Sequence, residues 1–288
     1  MKQLHLPRGS AIDGTDDVRI SPERAGWTYA GLRVLRLRPG QRRVLQSGSS
    51  EMAVLPLAGS AVVECEGRRF DLTGRESVFA GVSDFAYVPI ESEFEITSAS
   101  GGEFALPSAE ATQRLPPAYG PADKVAVEIR GAGQATRQIN NFLSPEAFPA
   151  HKLCAVEVLT PEGNWSSYPP HKHDQASEHE AILEEIYYFR ISGENGFGLH
   201  RTYTLDGEID ATVTVRDGDV FLIPRGYHGP CVAAPGYDMY YLNVLAGPAA
   251  ERIMTFCDDP AHHWVRATWA HQQPDPRLPM TSAAEPSL

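Results

Sequence analysis

Convincing helical apolar periodicity over twelve or more residues is scarce in this chain, and that scarcity constrains its fold more than any other feature. The best helical candidate, 177–185 (SEHEAILEE), is short. What recurs instead are short runs of Val, Ile, Leu, Tyr and Phe, such as 31–40 (GLRVLRLRPG), 60–67 (SAVVECEG), 155–160 (AVEVLT), 185–191 (EIYYFRI) and 239–247 (MYYLNVLAG). Gly (25) and Pro (23) punctuate them. β-branched and aromatic residues bounded by turn formers are strand signals, and many short strands closely spaced are the mark of a sandwich or barrel. The expected class is all-β.

The pattern is written twice. Residues 51–97 run strand, Gly turn, strand, then FDLTGRESVF and AYVPI; residues 185–228 run strand, Gly turn, strand, then VRDGDVFLIP and RGYH. Internal repetition of this kind makes one unit out of each copy. The chain therefore divides into an N-terminal module (1–110), a Pro-rich connector (111–149), a C-terminal module (150–271) and a Pro-rich tail (272–288) that straps the surface or is disordered. Each module is expected to be a β-barrel or jelly roll with few short helices. A length of 288 residues accommodates two such units.

Composition removes several function classes. A hydrophobic fraction of 42% excludes global disorder. The net charge of −12, with no basic run, argues against nucleic acid, whose phosphates need clustered Lys or Arg. The start, MKQLHLPRGS, has no apolar signal region, and no run of about 18 apolar residues is present to span a membrane. The four cysteines, Cys65, Cys154, Cys231 and Cys257, are far apart and form no CxxC pair, as expected for buried thiols in a reducing compartment. Cytoplasm is the expected location.

The chemistry-bearing residues gather in the second module. His171-Lys172-His173 on a strand places both imidazoles on one face, because side chains alternate with period two. Glu184-Glu185 follows at the start of an apolar strand, where a buried carboxylate needs a partner. His228 closes the next segment, in Pro224-Arg225-Gly226-Tyr227-His228. Singly, each is more often a surface coincidence; in one module they compose a 3-His-1-carboxylate set suited to Zn, Mn, Fe, Co or Ni. The first module has no histidine between His5 and His151 and is expected to be metal-free.

This order of residues resembles the cupin superfamily, whose motifs run HxHx3–4E…G and Gx5PxGx2H. Gly218 to Gly226 (GDVFLIPRG) matches the start of the second motif; the spacing from His173 to Glu185 is longer, and that from Gly226 to His228 one residue shorter. The longer spacing requires 175–183 to loop out and leaves either Glu184 or Glu185 as ligand. Glu185 is preferred, since it shares strand parity with Tyr187 and Phe189. More narrowly, 127–143 (VEIRGAGQATRQINNFL), PPHKHD, LEEIYYFR, GFGLHRTYT, DGDVFLIPRGYHGP and YYLNVLAG resemble, in order, the 5-deoxyglucuronate isomerases of myo-inositol catabolism, relatives of the 5-keto-4-deoxyuronate isomerases. The resemblance implies a bicupin, a divalent metal (Zn or Mn first, then Fe, Co or Ni), and aldose–ketose isomerisation of 5-deoxy-glucuronate to 5-dehydro-2-deoxy-gluconate. On this reading His171, His173, Glu185 and His228 hold the metal. Arg201, and after it Arg225, would take the substrate carboxylate with a guanidinium fork. Tyr187 and Tyr241 are the candidate catalytic groups, with a metal-bound water or Glu184 as other bases. The expected partner is a small sugar acid, and the chain is expected to be a homo-oligomer. An Fe(II) cupin dioxygenase and a non-enzymatic sugar-acid-binding cupin are the alternatives.

Overall fold

The computed structural model describes residues 3–283 and is built almost wholly of strands. In the N-terminal module one nine-stranded sheet curls on itself. Its spine is the long strand Ser50–Cys65, which pairs with Phe85–Val88 and Gly102–Glu110 near its start and with Arg68–Arg75 and Glu93–Ser98 near its end. The change of partners coincides with register shifts between Pro56 and Ala61. Gly59 sits at this bend with φ +88°, and a Cβ there would lie 2.5 Å from the Gly101 carbonyl oxygen, so only glycine fits.

The C-terminal module closes around two sheets. One has the order His5–Leu6, Val220–Ile223, Glu184–Ile191, Met239–Ala246, Cys154–Thr160, Arg137–Leu143, Ala126–Arg130. The other runs Asp210–Arg216, Phe197–Tyr203, Tyr227–Ala233, His171–Lys172, Cys257–Asp258, with Trp165–Ser166 also on Tyr227–Ala233. Two of the expected boundaries change here. The chain start belongs to the second module's sheet, with His5 opposite Phe221. The stretch 111–149 is more than a connector, because it contributes two strands to that same sheet. Prolines at 107, 116, 117 and 121 had suggested linker, whereas the strand-forming residues lie after them.

Alternation explains how the modules join. Along Glu184–Ile191, Ile186 and Tyr188 pack into a core shared with Leu32, Val34 and Leu55 of the first module. Tyr187, Phe189 and Ile191 point the other way, into the second barrel with Phe221 and Tyr241. The first barrel is filled by Leu35, Leu37, Val54, Phe94, Phe104 and Leu106. Met52 pairs with Val88 there as Glu185 pairs with Ile223, so an apolar side chain stands where the second module has a carboxylate.

The 177–185 segment is not helical. The Glu180 carboxylate accepts from the backbone N–H of Asp174 and Gln175 and from Lys172, which pins the segment as a loop entering the strand at Glu184. The tail straps the surface through residue 283: the Gln138 side chain accepts from the N–H of Met280 and Thr281 and donates to the Thr281 carbonyl. Residues 284–288 lie outside the described residues. All four cysteines are free, and no described helix is long and apolar enough to cross a membrane.

Candidate metal centre

The strand His171–Lys172 lies beside Tyr227–Ala233 with His171 opposite His228. Lys172 turns away, its Nζ 2.7 Å from Asp174 and 2.8 Å from Glu180, while His171 and His173 face a common cavity. Gly226, with φ +91°, makes the turn before His228. Its N–H donates to Asp174 Oδ2 at 2.8 Å, tying the two histidine segments together.

Each imidazole is oriented by the same device. His173 Nδ1 is 2.9 Å from the Leu183 carbonyl oxygen, His228 Nδ1 is 3.2 Å from that of Gly226, and His171 Nδ1 is 3.3 Å from that of Pro169. A carbonyl only accepts, so Nδ1 carries a proton, and in the neutral ring Nε2 presents a lone pair. Backbone orientation of this type fixes ligand tautomers at metal sites. His173 Nε2 and His228 Nε2 lie 3.1 and 3.0 Å from the same atom, Glu185 Oε2. Asn243 Nδ2 donates to the other oxygen, Oε1, at 2.9 Å.

These ligand atoms of His173, Glu185 and His228 lie within 4.8 Å of one another, and all three residues are buried. With both rings neutral, three converging lone pairs repel unless a cation sits among them. His228 Nε2 is sealed from solvent and has no hydrogen-bond partner, the orphaned atom such a cation would satisfy. The donor set therefore fits a divalent ion of the borderline class. His171 stands beside this trio but outside its mutual reach, its ring 4.5 Å from that of His228 and 4.7 Å from Phe256.

The electrostatics reflect how closely these buried groups face one another. Burial, then the neighbouring His228 and His173, hold the His171 imidazole neutral well below its ordinary range. Burial lowers His173 too, but the hydrogen bond and charge of Glu185 raise it overall. Burial opposes ionisation of Glu185, yet His228 and the His173 hydrogen bond hold its carboxyl below the usual carboxylate range. Glu184 is elsewhere: it accepts from the N–H of Thr28, Tyr29 and Ala30 at 2.7–2.8 Å, where the first module's leading strand begins. That engagement removes Glu184 as a base.

Beside the trio is a cavity of about 340 Å³, lined among others by Ser167, Tyr241 and Asn243. The Ser167 Oγ is 3.0 Å from the Tyr241 hydroxyl and 3.2 Å from that of Tyr187. Burial pushes both phenols up, so both are neutral hydrogen-bonding groups and neither is a base at neutral pH. Tyr241 lines the cavity and Tyr187 does not.

Both expected substrate arginines are placed outside. Arg201 points away from the barrel because its neighbours His200 and Thr202 point in; it lies 4.3 Å over the Tyr203 ring and 3.7 Å from Asp210. Arg225 pairs with Asp206 at 3.2 Å and with Glu208 on the surface. The cavity instead holds Arg130, Arg137 and Arg252. Sequence reasoning passed over these and over Asn243. Asn243 carried a signal, a lone amide in the apolar run YYLNVLA in phase with Tyr241; Arg137 carried none beyond lying in a strand.

Two β-barrels in tandem, the second with a buried His/Glu trio inside, define a two-domain cupin. The chain belongs to the KduI/IolB family, whose model matches residues 5–265. It is 43% identical over 268 residues to a 5-deoxy-glucuronate isomerase of Geobacillus kaustophilus, covering 92% of this chain and 96% of that one. It is 37% identical over 249 residues to the protein of that name from Bacillus subtilis strain 168, covering 85% and 91%. Among solved structures, an IolB-like protein from Salmonella typhimurium LT2 superposes with TM-score 0.85 at 36% identity, over 91% of this chain and 99% of that one. An oxalate decarboxylase from Lactobacillus farciminis shares the fold at TM-score 0.63 and 16% identity, over 87% and 88%.

Proposed function

We propose that this isomerase is metal-dependent and converts 5-deoxy-glucuronate, the substrate in its relatives' name, to 5-dehydro-2-deoxy-gluconate as a step of myo-inositol catabolism. The observation that carries the metal reading is the convergence of His173 Nε2, His228 Nε2 and Glu185 Oε2, with His173 and Glu185 lining the cavity. His171 is the fourth candidate ligand, at the edge of the same cavity.

The reaction moves a proton from the hydroxyl-bearing C2 to the aldehyde carbon C1 through an enediolate. A divalent ion held by these side chains would polarise the carbonyl as a Lewis acid. The protein's own groups supply orientation. Asn243 spends its Nδ2 on Glu185, which holds the carboxylate in place. Tyr241, kept neutral by burial, can donate to a developing oxyanion in place of its bond to Ser167. Ile139, Val156 and Val158 on the cavity wall limit water around the reacting carbons.

The test is NMR of 5-deoxy-glucuronate with purified protein under anaerobic conditions, after metal removal and after reloading with Zn or Mn. The aldehyde-derived signals should give way to those of a ketose only in reloaded protein. Full turnover after metal removal, or in a His171→Ala/His173→Ala variant, would refute the metal reading. An absolute requirement for oxygen would refute isomerisation.

A further inference from the structure

Arg137 opens the strand Arg137–Leu143 opposite Arg130, and it is 4% exposed. Its Nη1 donates to the carbonyls of Ala135 and Tyr168 at 3.1 and 3.3 Å, and its guanidinium lies 5.8 Å from the Trp269 ring. These contacts hold the plane of the fork. Its Nε and Nη2 make no hydrogen bond to the described residues and are not sealed from solvent, and the side chain lines the cavity beside the metal-ligand trio.

The other arginines nearby are satisfied. Arg130 sits bidentate on Glu128, with Nε–Oε1 2.7 Å and Nη2–Oε2 2.9 Å. Arg252 donates to the carbonyls of Leu153, Ser144 and Phe148. Arg266 is paired with Asp258. Among the described residues Arg137 has no carboxylate within ion-pair distance. A buried cation without a counter-ion is costly, and a planar fork with two free donors is the complement of a carboxylate. Burial pulls its pKa down to about 10, so it remains charged at neutral pH.

Its position also suits a ligand that reaches the trio. Arg137 holds the Tyr168 carbonyl; the adjacent Ser167 contacts the Tyr241 and Tyr187 hydroxyls; and the Tyr187 ring is 6.2 Å from that of His228. Arg137, Ile139 and Asn141 alternate onto the cavity along one strand, giving a single continuous wall. A volume of about 340 Å³ falls in the range of small-ligand pockets.

We infer that Arg137 is the carboxylate anchor of the cavity, holding the acid end of a sugar acid by its Nε and Nη2 edge so that the aldehyde end meets the metal-ligand trio. This rests on the isomerase reading for the aldehyde end only. The anchor fixes which end of the chain reacts and discriminates an acid from the neutral sugar of the same length.

Calorimetric titration of metal-free protein with D-gluconate and with D-glucitol tests it, since without metal any preference for the acid comes from the protein. Wild type should bind gluconate about tenfold or more tightly than glucitol, as expected for a bidentate charged pair. Arg137→Met should bring the two within about twofold while Arg201→Ala keeps the full margin. If Arg137→Met does not fold, judged by circular dichroism, Arg137→Lys decides: one ammonium cannot serve both oxygens, and the margin should fall at least about threefold. An unchanged margin in either variant, or no margin in wild type, overturns the assignment. Turnover of 5-deoxy-glucuronate by reloaded wild type is scored separately. Its absence with an Arg137-dependent margin refutes the isomerase and leaves the anchor; its presence with an Arg137-independent margin refutes the anchor alone.

Discussion

Asn243 acts on the candidate site through its Nδ2, and the metal-ligand reading depends on that one bond. Its Nδ2 occupies Glu185 Oε1 and so leaves Oε2 as the oxygen that meets His173 and His228. Replacing it by Leu, similar in size, frees Oε1 and lets the carboxylate rotate. Loss of such an outer partner costs about 10- to 100-fold in metal affinity. Asn243→Leu should therefore release Zn to a competing chelator at correspondingly lower chelator concentration, with unfolding little changed; unaltered retention would show that the amide does not position the ligand. Single residues were unevenly legible in the sequence. Strand parity puts His171 with His173, and Glu185 with Tyr187 and Phe189, without knowledge of the fold, whereas His228 came from its place in the second motif. The same parity, applied to His200-Arg201-Thr202, would have turned Arg201 outward, but charge complementarity to the substrate was weighed instead. Arg137 was illegible for a different reason. Its meaning lies in what it lacks, a counter-ion, and a sequence lists residues without their distances.

At the scale of the element, the strand Glu184–Ile191 reads both of its faces. Glu184 fastens its entry to the first module through three backbone N–H groups, and Glu185, one residue on, faces the opposite side into the His/Glu trio. The long strand of the first module returns the gesture. Glu51 accepts from the N–H of His151, Lys152 and Leu153, where the second module's leading strand begins. The two carboxylates form reciprocal latches, each closing on the other barrel. Adjacent residues on one strand should then have separable effects. Glu184→Ala removes a charged acceptor from three donors, and the expected loss is about 2–4 kcal/mol of stability with metal stoichiometry intact. Glu185→Gln should empty the metal site while the metal-free protein still folds. If Glu184→Ala loses metal in a still-folded protein, or Glu185→Gln keeps it, the assignment of faces is wrong. The strands themselves were legible from Gly and Pro punctuation, and the looping out of 175–183 followed from motif spacing. The latches were not, because a carboxylate at a strand entrance looks alike whether its partners are a metal, water or another module's backbone.

For the molecule as a whole, the sequence announced two copies of one unit, and the structure shows how far they are interleaved. The chain start and residues 126–143, on either side of or beyond the first barrel, both add strands to the second barrel's sheet. The largest apolar core draws on both modules. At its polar seam, Arg75 of the first module pairs with Glu157 of the second, their side chains 2% and 1% exposed. Arg75 also donates to the carbonyls of Pro56 and Gly81, while Glu157 accepts from Asn140 Nδ2 at 3.0 Å and the Tyr240 hydroxyl at 2.8 Å. No periodicity or motif could announce a pair 82 positions apart. Breaking one side of such a pair leaves the other charge buried, which costs about 3–5 kcal/mol, whereas removing both with apolar residues of like volume costs much less. Arg75→Met and Glu157→Leu should each destabilise by that order, and the double variant by clearly less than their sum, when followed by guanidinium unfolding. Because the pair and the shared core span both barrels, wild type and variants should unfold in one transition seen alike by far-ultraviolet dichroism and tryptophan fluorescence. Two transitions, only one of them displaced by Arg75→Met, would show barrels that fold independently and a seam that merely aligns them. A single displaced transition would mean that the first barrel stabilises the second, which gives one copy of the fold a reason to stand beside the copy carrying the candidate site.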